Sequence, residues 1–178
     1  MLAKKLSPTW FCEEIYELNT EILKENGIKT IFFDLDNTLI PFYEALPYEK
    51  TKRFINYLKD IGFNIYVISN NHEDRVAKFC KDLNCKYSYM SYKPLPFKLN
   101  KFIKKENLNK NETIIVGDQI MTDIICSKFL KIKSILVTPA CNDDLKETKI
   151  NRFIDNKIRN KQKKKGYLNK FERSEYYE

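Results

Sequence analysis

The sequence predicts an α/β protein built on a parallel sheet with helices on both faces. Three observations predict it. Short apolar runs of strand length recur along the chain, stretches with helical spacing separate them, and most of the runs stop at a polar residue able to do chemistry.

Taken in order, Trp10 to Leu23 places Phe11, Ile15, Leu18 and Ile22 at helical spacing with Gly27 as a stop, which predicts an amphipathic helix packed on the core. Ile31-Phe32-Phe33 ending in Asp34 predicts a buried strand. A polar, proline-punctuated loop follows over Asn37 to Pro47, with the apolar Pro41-Phe42-Tyr43 inside it. A helix carrying Phe54, Ile55, Leu58 and Ile61 then closes at Gly62. Phe63 to Ile68 predicts the second strand, Asn71 to Leu83 a helix with Val76, Phe79, Cys80 and Leu83 on one face, and Lys86 to Tyr89 a third strand. Beyond them come a helix over Phe97 to Lys105, a strand over Thr113 to Val116, a helix over Gln119 to Phe129 and a strand over Ser134 to Val137. Five parallel strands with right-handed crossovers make a Rossmann-like sheet. The expected organisation is an N-terminal helical segment over 1–28, an α/β domain over 29–148 and a basic helical tail over 149–178.

Composition limits the alternatives. The chain has 178 residues, 43% hydrophobic and 31% charged, enough for one packed domain and too apolar for wholesale disorder. No run approaches the roughly 20 apolar residues of a membrane span. Glu13, Glu14 and Glu17 interrupt the N-terminal stretch, so a secretory signal is not expected. Five cysteines without a C-x-x-C pair read as reduced thiols in a cytoplasmic protein, and one histidine leaves no zinc site. The net charge of +8 is concentrated in residues 149–178, which hold ten Lys or Arg against four Asp or Glu. Such a tail suits either a solvated helix face or contact with phosphate-rich partners, anionic lipid or nucleic acid.

In open α/β sheets ligands bind beyond the carboxyl ends of the strands, so the residues that follow each apolar run are the candidates. After the first strand stand Asp34-Leu35-Asp36-Asn37-Thr38, after the second Ser69-Asn70-Asn71, after the third Lys93-Pro94, and after the fourth Gly117-Asp118-Gln119 with Asp123 behind. Each fragment alone reads equally as a turn or a helix cap. Together they bring carboxylates, a hydroxyl and an ammonium to one edge. Clustered carboxylates repel unless a cation sits among them, and donors that are all oxygen point to Mg²⁺.

These residues, in this order, resemble the four motifs of the haloacid-dehalogenase (HAD) superfamily of phosphotransferases. More narrowly, Phe33-Asp34-Leu35-Asp36-Asn37-Thr38-Leu39, Ser69-Asn70-Asn71, Lys93-Pro94 and Gly117-Asp118-Gln119-Ile120-Met121-Thr122-Asp123 resemble the YqeG-type subclass IIIA phosphatases, a group similar to phosphatidylglycerophosphate phosphatases. The likeness runs from about Phe11 to Leu168. Where the family usually carries glycines in the helix after Asp123 and near its end, this chain has Ile125-Cys126-Ser127 and Leu130-Lys131.

The resemblance implies an aspartyl-phosphate mechanism. Asp34 would be the nucleophile and Asp36 the general acid and base. Mg²⁺ would be held by the Asp34 and Asp118 carboxylates and the Asp36 carbonyl, with Asp123 orienting a bound water or Lys93. Ser69 and Lys93 would bind the phosphate oxygens, completed by Asn70 and by backbone N–H groups from Leu35 to Thr38. The intervals from Asp36 to Ser69 and from Ser69 to Lys93 leave no room for a cap domain. An uncapped site suits a large substrate such as phosphatidylglycerophosphate, the tail holding the enzyme peripherally at a membrane. The rival expectation is a nucleic-acid- or ribosome-associated module whose tail reads phosphodiester backbones, with no RNA-binding signature beside it.

Overall fold

A computed structural model of the chain describes residues 2–141 and 149–171. Its first half comprises α1 (Leu2–Lys5), β1 (Trp10–Cys12), α2 (Thr20–Glu25), β2 (Thr30–Asp34), α3 (Glu49–Asp60), β3 (Asn64–Ile68) and α4 (Glu73–Leu83). Its second half comprises β4 (Lys86–Ser88), α5 (Phe97–Lys105), β5 (Thr113–Gly117), a π turn (Ile120–Ile124) running into α6 (Ile125–Leu130), β6 (Lys133–Val137) and α7 (Lys149–Lys164).

All strands pair in parallel in the order β1-β6-β5-β2-β3-β4, which puts β2 and β5 at the centre. Every residue of these two strands is buried, as continuous apolar runs require when both faces are covered. The period of two divides them between faces. Ile31 and Phe33 pack with Phe54, Ile55 and Leu58 of α3 and with Val76 and Phe79 of α4, whereas Phe32 packs with Leu99 and Ile103 of α5 and Cys126 and Leu130 of α6.

The sheet has six strands, one more than the sequence predicts. The extra one corrects the expected N-terminal helix over residues 1–28. Trp10–Cys12 is an edge strand in register with Ile135–Val137, followed by a 3₁₀ turn over Ile15–Glu17 and then by α2. Asn19 starts α2 independently, its side chain accepting from the Glu21 and Ile22 N–H groups. Apolar residues three or four apart along 11–22 thus belong to three short elements that meet one core, a pattern that mimics a helix's spacing.

The C-terminal segment is not a free tail either. The Phe11 N–H donates to the Asn169 carbonyl and the Phe171 N–H to the Phe11 carbonyl, which covers the edge strand. The Phe171 ring meets Trp10 edge-on at 5.2 Å. The Gln162 side chain donates to the carbonyls of Ala3 and Leu6, and Ile158 and Leu168 pack on Phe11, Ile120 and Leu136. The predicted tail residues 172–178 and the Ile150 side chain lie outside the described residues. At the end of α6, Lys131 takes the left-handed conformation (φ 58°) at the place where the resembling family carries glycine.

Candidate active site

The site lies where β2 and β5 end. Asp34 is the last residue of β2, and Gly117 of β5 hands the chain to Asp118. The loop after β2 turns back at once. Asn37 adopts a left-handed conformation (φ 63°), tolerable for an asparagine, and its N–H donates to the Ile40 carbonyl while the Thr38 N–H donates to Leu35. Two of the amides expected to cradle a phosphate are therefore used within the loop. The Thr38 hydroxyl, by contrast, faces the site, 3.5 Å from Asp34 Oδ2 and 3.3 Å from Asp118 Oδ1.

Lys93 lies at the centre. Its buried Nζ donates to Asp34 Oδ1 at 2.6 Å, to Asp123 Oδ1 at 2.7 Å and to the Ile68 carbonyl at 3.3 Å. Asn70 locks it in place. The Asn70 amide accepts from the Lys93 N–H at 2.7 Å and donates to the Lys93 carbonyl at 2.8 Å. The Asn70 side chain, expected on the phosphate, is thus a clamp on the Lys93 backbone. Ser69 is buried, and its Oγ accepts from the Asn71 N–H at 3.0 Å.

Asp36 stands apart from the other carboxylates. Its Oδ1 accepts from Arg75 at 2.8 Å and 3.3 Å, its Oδ2 from the Asn71 amide at 3.2 Å, and Arg75 also reaches the Phe42 carbonyl. Arg75 was invisible to motif reading; its one signal is its place in the first turns of the helix after Ser69.

On the far side, Asp118 is held by α7. Arg152 forms an ion pair with Asp118 Oδ2, and the buried Arg159 donates to the Asp118 carbonyl and, at 3.0 Å, to the Val137 carbonyl. Asp155 lies between these arginines and accepts from the Ile120 and Met121 N–H groups at 2.8 and 3.0 Å. Residues 152, 155 and 159 share one helix face, and that spacing was the available signal. Read for net charge, the segment counted only as basic.

Burial governs the electrostatics. It raises the Asp34 carboxyl well above the usual range, with Lys93 opposing and Asp123 and Asp118 adding to the rise. Asp118 is raised by burial too, against the pull of Arg152. Burial on its own would lower the Lys93 ammonium; the charges and hydrogen bonds of Asp123 and Asp34 overcome it and raise it.

Asp34, Asp118 and Asp123 each offer a carboxylate oxygen within 4.8 Å of the others. This donor set fits a hard divalent cation. Lys93 takes Asp34 Oδ1 and Arg152 takes Asp118 Oδ2, which leaves Asp34 Oδ2 and Asp118 Oδ1 on either side of one Thr38 hydroxyl. A single hydroxyl proton serves one of two such oxygens at a time, so a cation there would relieve the other.

The family model for haloacid dehalogenase-like hydrolases matches residues 43–137. The "Probable phosphatase YqeG" of Bacillus subtilis is 30% identical over 168 residues, 94% of this chain and 98% of that protein. The chain belongs to the haloacid dehalogenase-like hydrolase family. It is an enzyme of that family's phosphatase type. Solved structures share the fold at low identity. An uncharacterized protein from Listeria monocytogenes serotype 4b superposes with a TM-score of 0.53 at 14% identity, covering 66% of this chain and 85% of that one. The cobalt-bound deoxy-D-mannose-octulosonate 8-phosphate phosphatase of Haemophilus influenzae gives 0.50 at 16%, covering 79% and 92%. As in a HAD enzyme without a cap, the described chain from Asp36 to Ser69 is one loop, α3 and β3, with no inserted domain.

Proposed function

We propose that the chain is a Mg²⁺-dependent phosphomonoester hydrolase working through a covalent aspartyl-phosphate. The observation that carries this reading is the buried Asp34 carboxylate at the end of β2, held by Lys93 and faced by Asp118 and Asp123. Phosphomonoesters hydrolyse extremely slowly unaided, so a fixed nucleophile among neutralising charges is the arrangement their hydrolysis needs.

In this reading one oxygen of the Asp34 carboxylate attacks phosphorus in line, and the other is left for the cation. The bond from phosphorus to the leaving oxygen breaks as the Asp34–phosphorus bond forms. Lys93 and the Ser69 hydroxyl hold the non-bridging oxygens, and the Thr38 hydroxyl keeps Asp34 and Asp118 facing each other. Asp36 gives a proton to the leaving alkoxide and later takes one from the water that clears the intermediate. Its carboxylate must first leave Arg75 and Asn71 and take up a proton from solvent, which is the one it gives to the leaving oxygen. Asp34, Asp118 and the Asp36 carbonyl would hold Mg²⁺, with Asp123 steadying Lys93. The ion supplies charge neutralisation between an anionic nucleophile and an anionic phosphate.

The substrate in this reading is large or membrane-borne, phosphatidylglycerophosphate being the candidate the resemblance names. It is supported by the missing cap and by exposed apolar side chains, Phe129, Phe153 and Ile154, on a lysine-rich surface. Two of the tail's charges do not serve that surface, because Arg152 and Arg159 turn inward to Asp118. No described helix is long and apolar enough to cross a membrane.

The test is a phosphate-release screen against phosphatidylglycerophosphate in mixed micelles, an aryl phosphate, phosphopeptides, nucleic-acid ends and sugar phosphates, with Asp34→Asn as blank. The lipid leads, sugar phosphates trail, and Asp34→Asn loses at least roughly 1,000-fold in turnover with its fold intact. Activity kept by Asp34→Asn, or undiminished in excess EDTA, would overturn the mechanism, and a lead for nucleic-acid ends would overturn the substrate.

A further inference from the structure

We propose that Arg75 and Asn71 form a seat for a second anionic group on the leaving side of the substrate, and that Asp36 fills this seat until substrate arrives. The inference rests on the phosphatase reading above. It narrows the substrate to phosphomonoesters that carry a further carboxylate or phosphodiester close to the leaving oxygen.

The chain's own carboxylate shows the shape of the seat. Asp36 Oδ1 accepts from Arg75 Nη2 at 2.8 Å and from Nε at 3.3 Å, and Oδ2 accepts from Asn71 Nδ2 at 3.2 Å. Three donors from α4 and the loop before it thus surround one oxyanion, and a guanidinium fork serves a carboxylate or a phosphodiester equally. The donors are themselves held. The His72 N–H donates to Asn71 Oδ1 at 2.8 Å, which leaves the amide nitrogen for Asp36, and Arg75 Nη2 also donates to the Phe42 carbonyl at 3.3 Å. The seat is open to a ligand, since the Arg75 and Asp36 side chains keep 17% and 18% of their surface.

Catalysis empties the seat. Asp36 cannot stay on Arg75 and also reach the leaving oxygen. Once it turns away, Arg75 keeps only the Phe42 carbonyl. Among the described residues no other carboxylate pairs with Arg75; its neighbours on α4 do not replace Asp36, because Glu73 hydrogen-bonds Tyr89 and Asp74 is exposed. A half-buried guanidinium without its counter-ion is costly, so a neutral leaving group works against the turn of Asp36. A leaving group with its own anion takes the vacated place and favours the turn. Asp36 moves only about its side-chain bonds, so the seat lies within a side chain's length of the leaving oxygen, and the second anion must be a few bonds away. Phosphatidylglycerophosphate meets this condition, with a phosphodiester on the far carbon of the same glycerol. An unsubstituted aryl phosphate does not.

The experiment compares kcat/KM at fixed free Mg²⁺ within two matched pairs. One sets 2-hydroxyethyl phosphate against phosphoglycolate, which adds a carboxylate. The other sets glycerol 3-phosphate against the same ester with a methyl phosphodiester on its far carbon. The wild type prefers the charged member of at least one pair by at least about tenfold, as hydrogen bonds between charged groups predict, and the pair that shows it names the source of the anion. In Arg75→Gln that ratio falls by at least about tenfold, and Arg75→Lys, which keeps the charge without the fork, recovers part of it. If circular dichroism shows Arg75→Gln unfolded, Asn71→Ala removes the opposite donor. The ratio then falls by at least about threefold, and an unchanged ratio overturns the inference. Equal kcat/KM within both pairs in the wild type overturns it as well. So does an equal loss on both members of a pair in Arg75→Gln, which would mean that Arg75 only steadies Asp36. Binding is scored apart from turnover, by calorimetry of ethylphosphonate and 3-phosphonopropionate in the presence of Mg²⁺. An Arg75-dependent preference for the latter without turnover of any ester upholds this inference against the phosphatase reading, and Asp34-dependent turnover without any preference does the reverse.

Discussion

Gly117 shows how narrowly the site is fitted. A Cβ at this position would lie 2.2 Å from Asp123 Cγ and 2.4 Å from its Oδ2, so the end of β5 is bare in order that Asp123 can fold back over it. From there Asp123 reaches Lys93 with one oxygen and accepts the Gln119 N–H with the other, at 3.1 Å. Gly117→Ala therefore displaces Asp123 and, through it, Lys93. A displacement of about 1 Å at a reacting group costs on the order of 100-fold in rate. We expect that loss in kcat/KM on an aryl phosphate with helix content unchanged by circular dichroism; wild-type kinetics would show that Asp123 is not held by this contact. The glycine was legible in the Gly-Asp pair, but its reason was not. Only the tertiary structure brings Asp123 back against the residue six before it.

At the scale of elements, α7 and the helix after β5 are joined by Asp155, whose buried carboxylate caps the Ile120 and Met121 amides. Burial raises it from 3.8 to about 6, with the two backbone hydrogen bonds and the charges of Arg159 and Arg152 opposing. A raised carboxyl means that the folded protein keeps a proton the unfolded chain has already released. Stability from this group is therefore fully present below about pH 4 and falls as pH rises through about 6, by roughly 3 kcal/mol at about 1.4 kcal/mol per unit. Asp155→Asn has no such proton. The stability gap between wild type and this variant, from urea unfolding, should narrow by that amount between pH 4 and pH 7. A gap that stays constant or widens would mean that Asp155 ionises as readily in the fold as out of it. The helix itself was legible from Lys149 onward, but its role was not, because net charge does not reveal which side chains turn inward.

For the whole molecule, the first and last segments are tied to each other and to the sheet. β1 extends β6, residues 169–171 cover β1, and α7 holds α1 through Gln162. Removing residues 149–178 would expose Phe11 and Trp10, strip the Asp118 carbonyl of Arg159 and discard the contacts of buried Phe171 and half-buried Ile158. We expect the truncated chain to lose at least about 3 kcal/mol in urea unfolding, since a fully buried large apolar side chain contributes about 1.5–3 kcal/mol. Truncation that leaves the urea midpoint unchanged would restore the tail to an appendage. Membrane binding is therefore tested by changing exposed lysines, not by deletion.

The sequence by itself determined the alternation of strands and helices, the parallel sheet, and the ends of strands at which Asp34, Ser69, Lys93 and Asp118 appear. These follow from local periodicity and from the rule that parallel sheets bind ligands at their carboxyl edge. Tertiary structure decided the rest. Trp10–Cys12 is a strand because β6 offers it an edge to pair with, which no local pattern records. Asn70 clamps the Lys93 backbone, Arg75 takes Asp36, and Arg152 with Arg159 takes Asp118. Each of these pairings joins residues at least 23 positions apart, and each is stabilised by burial, which exists only after the layers have packed.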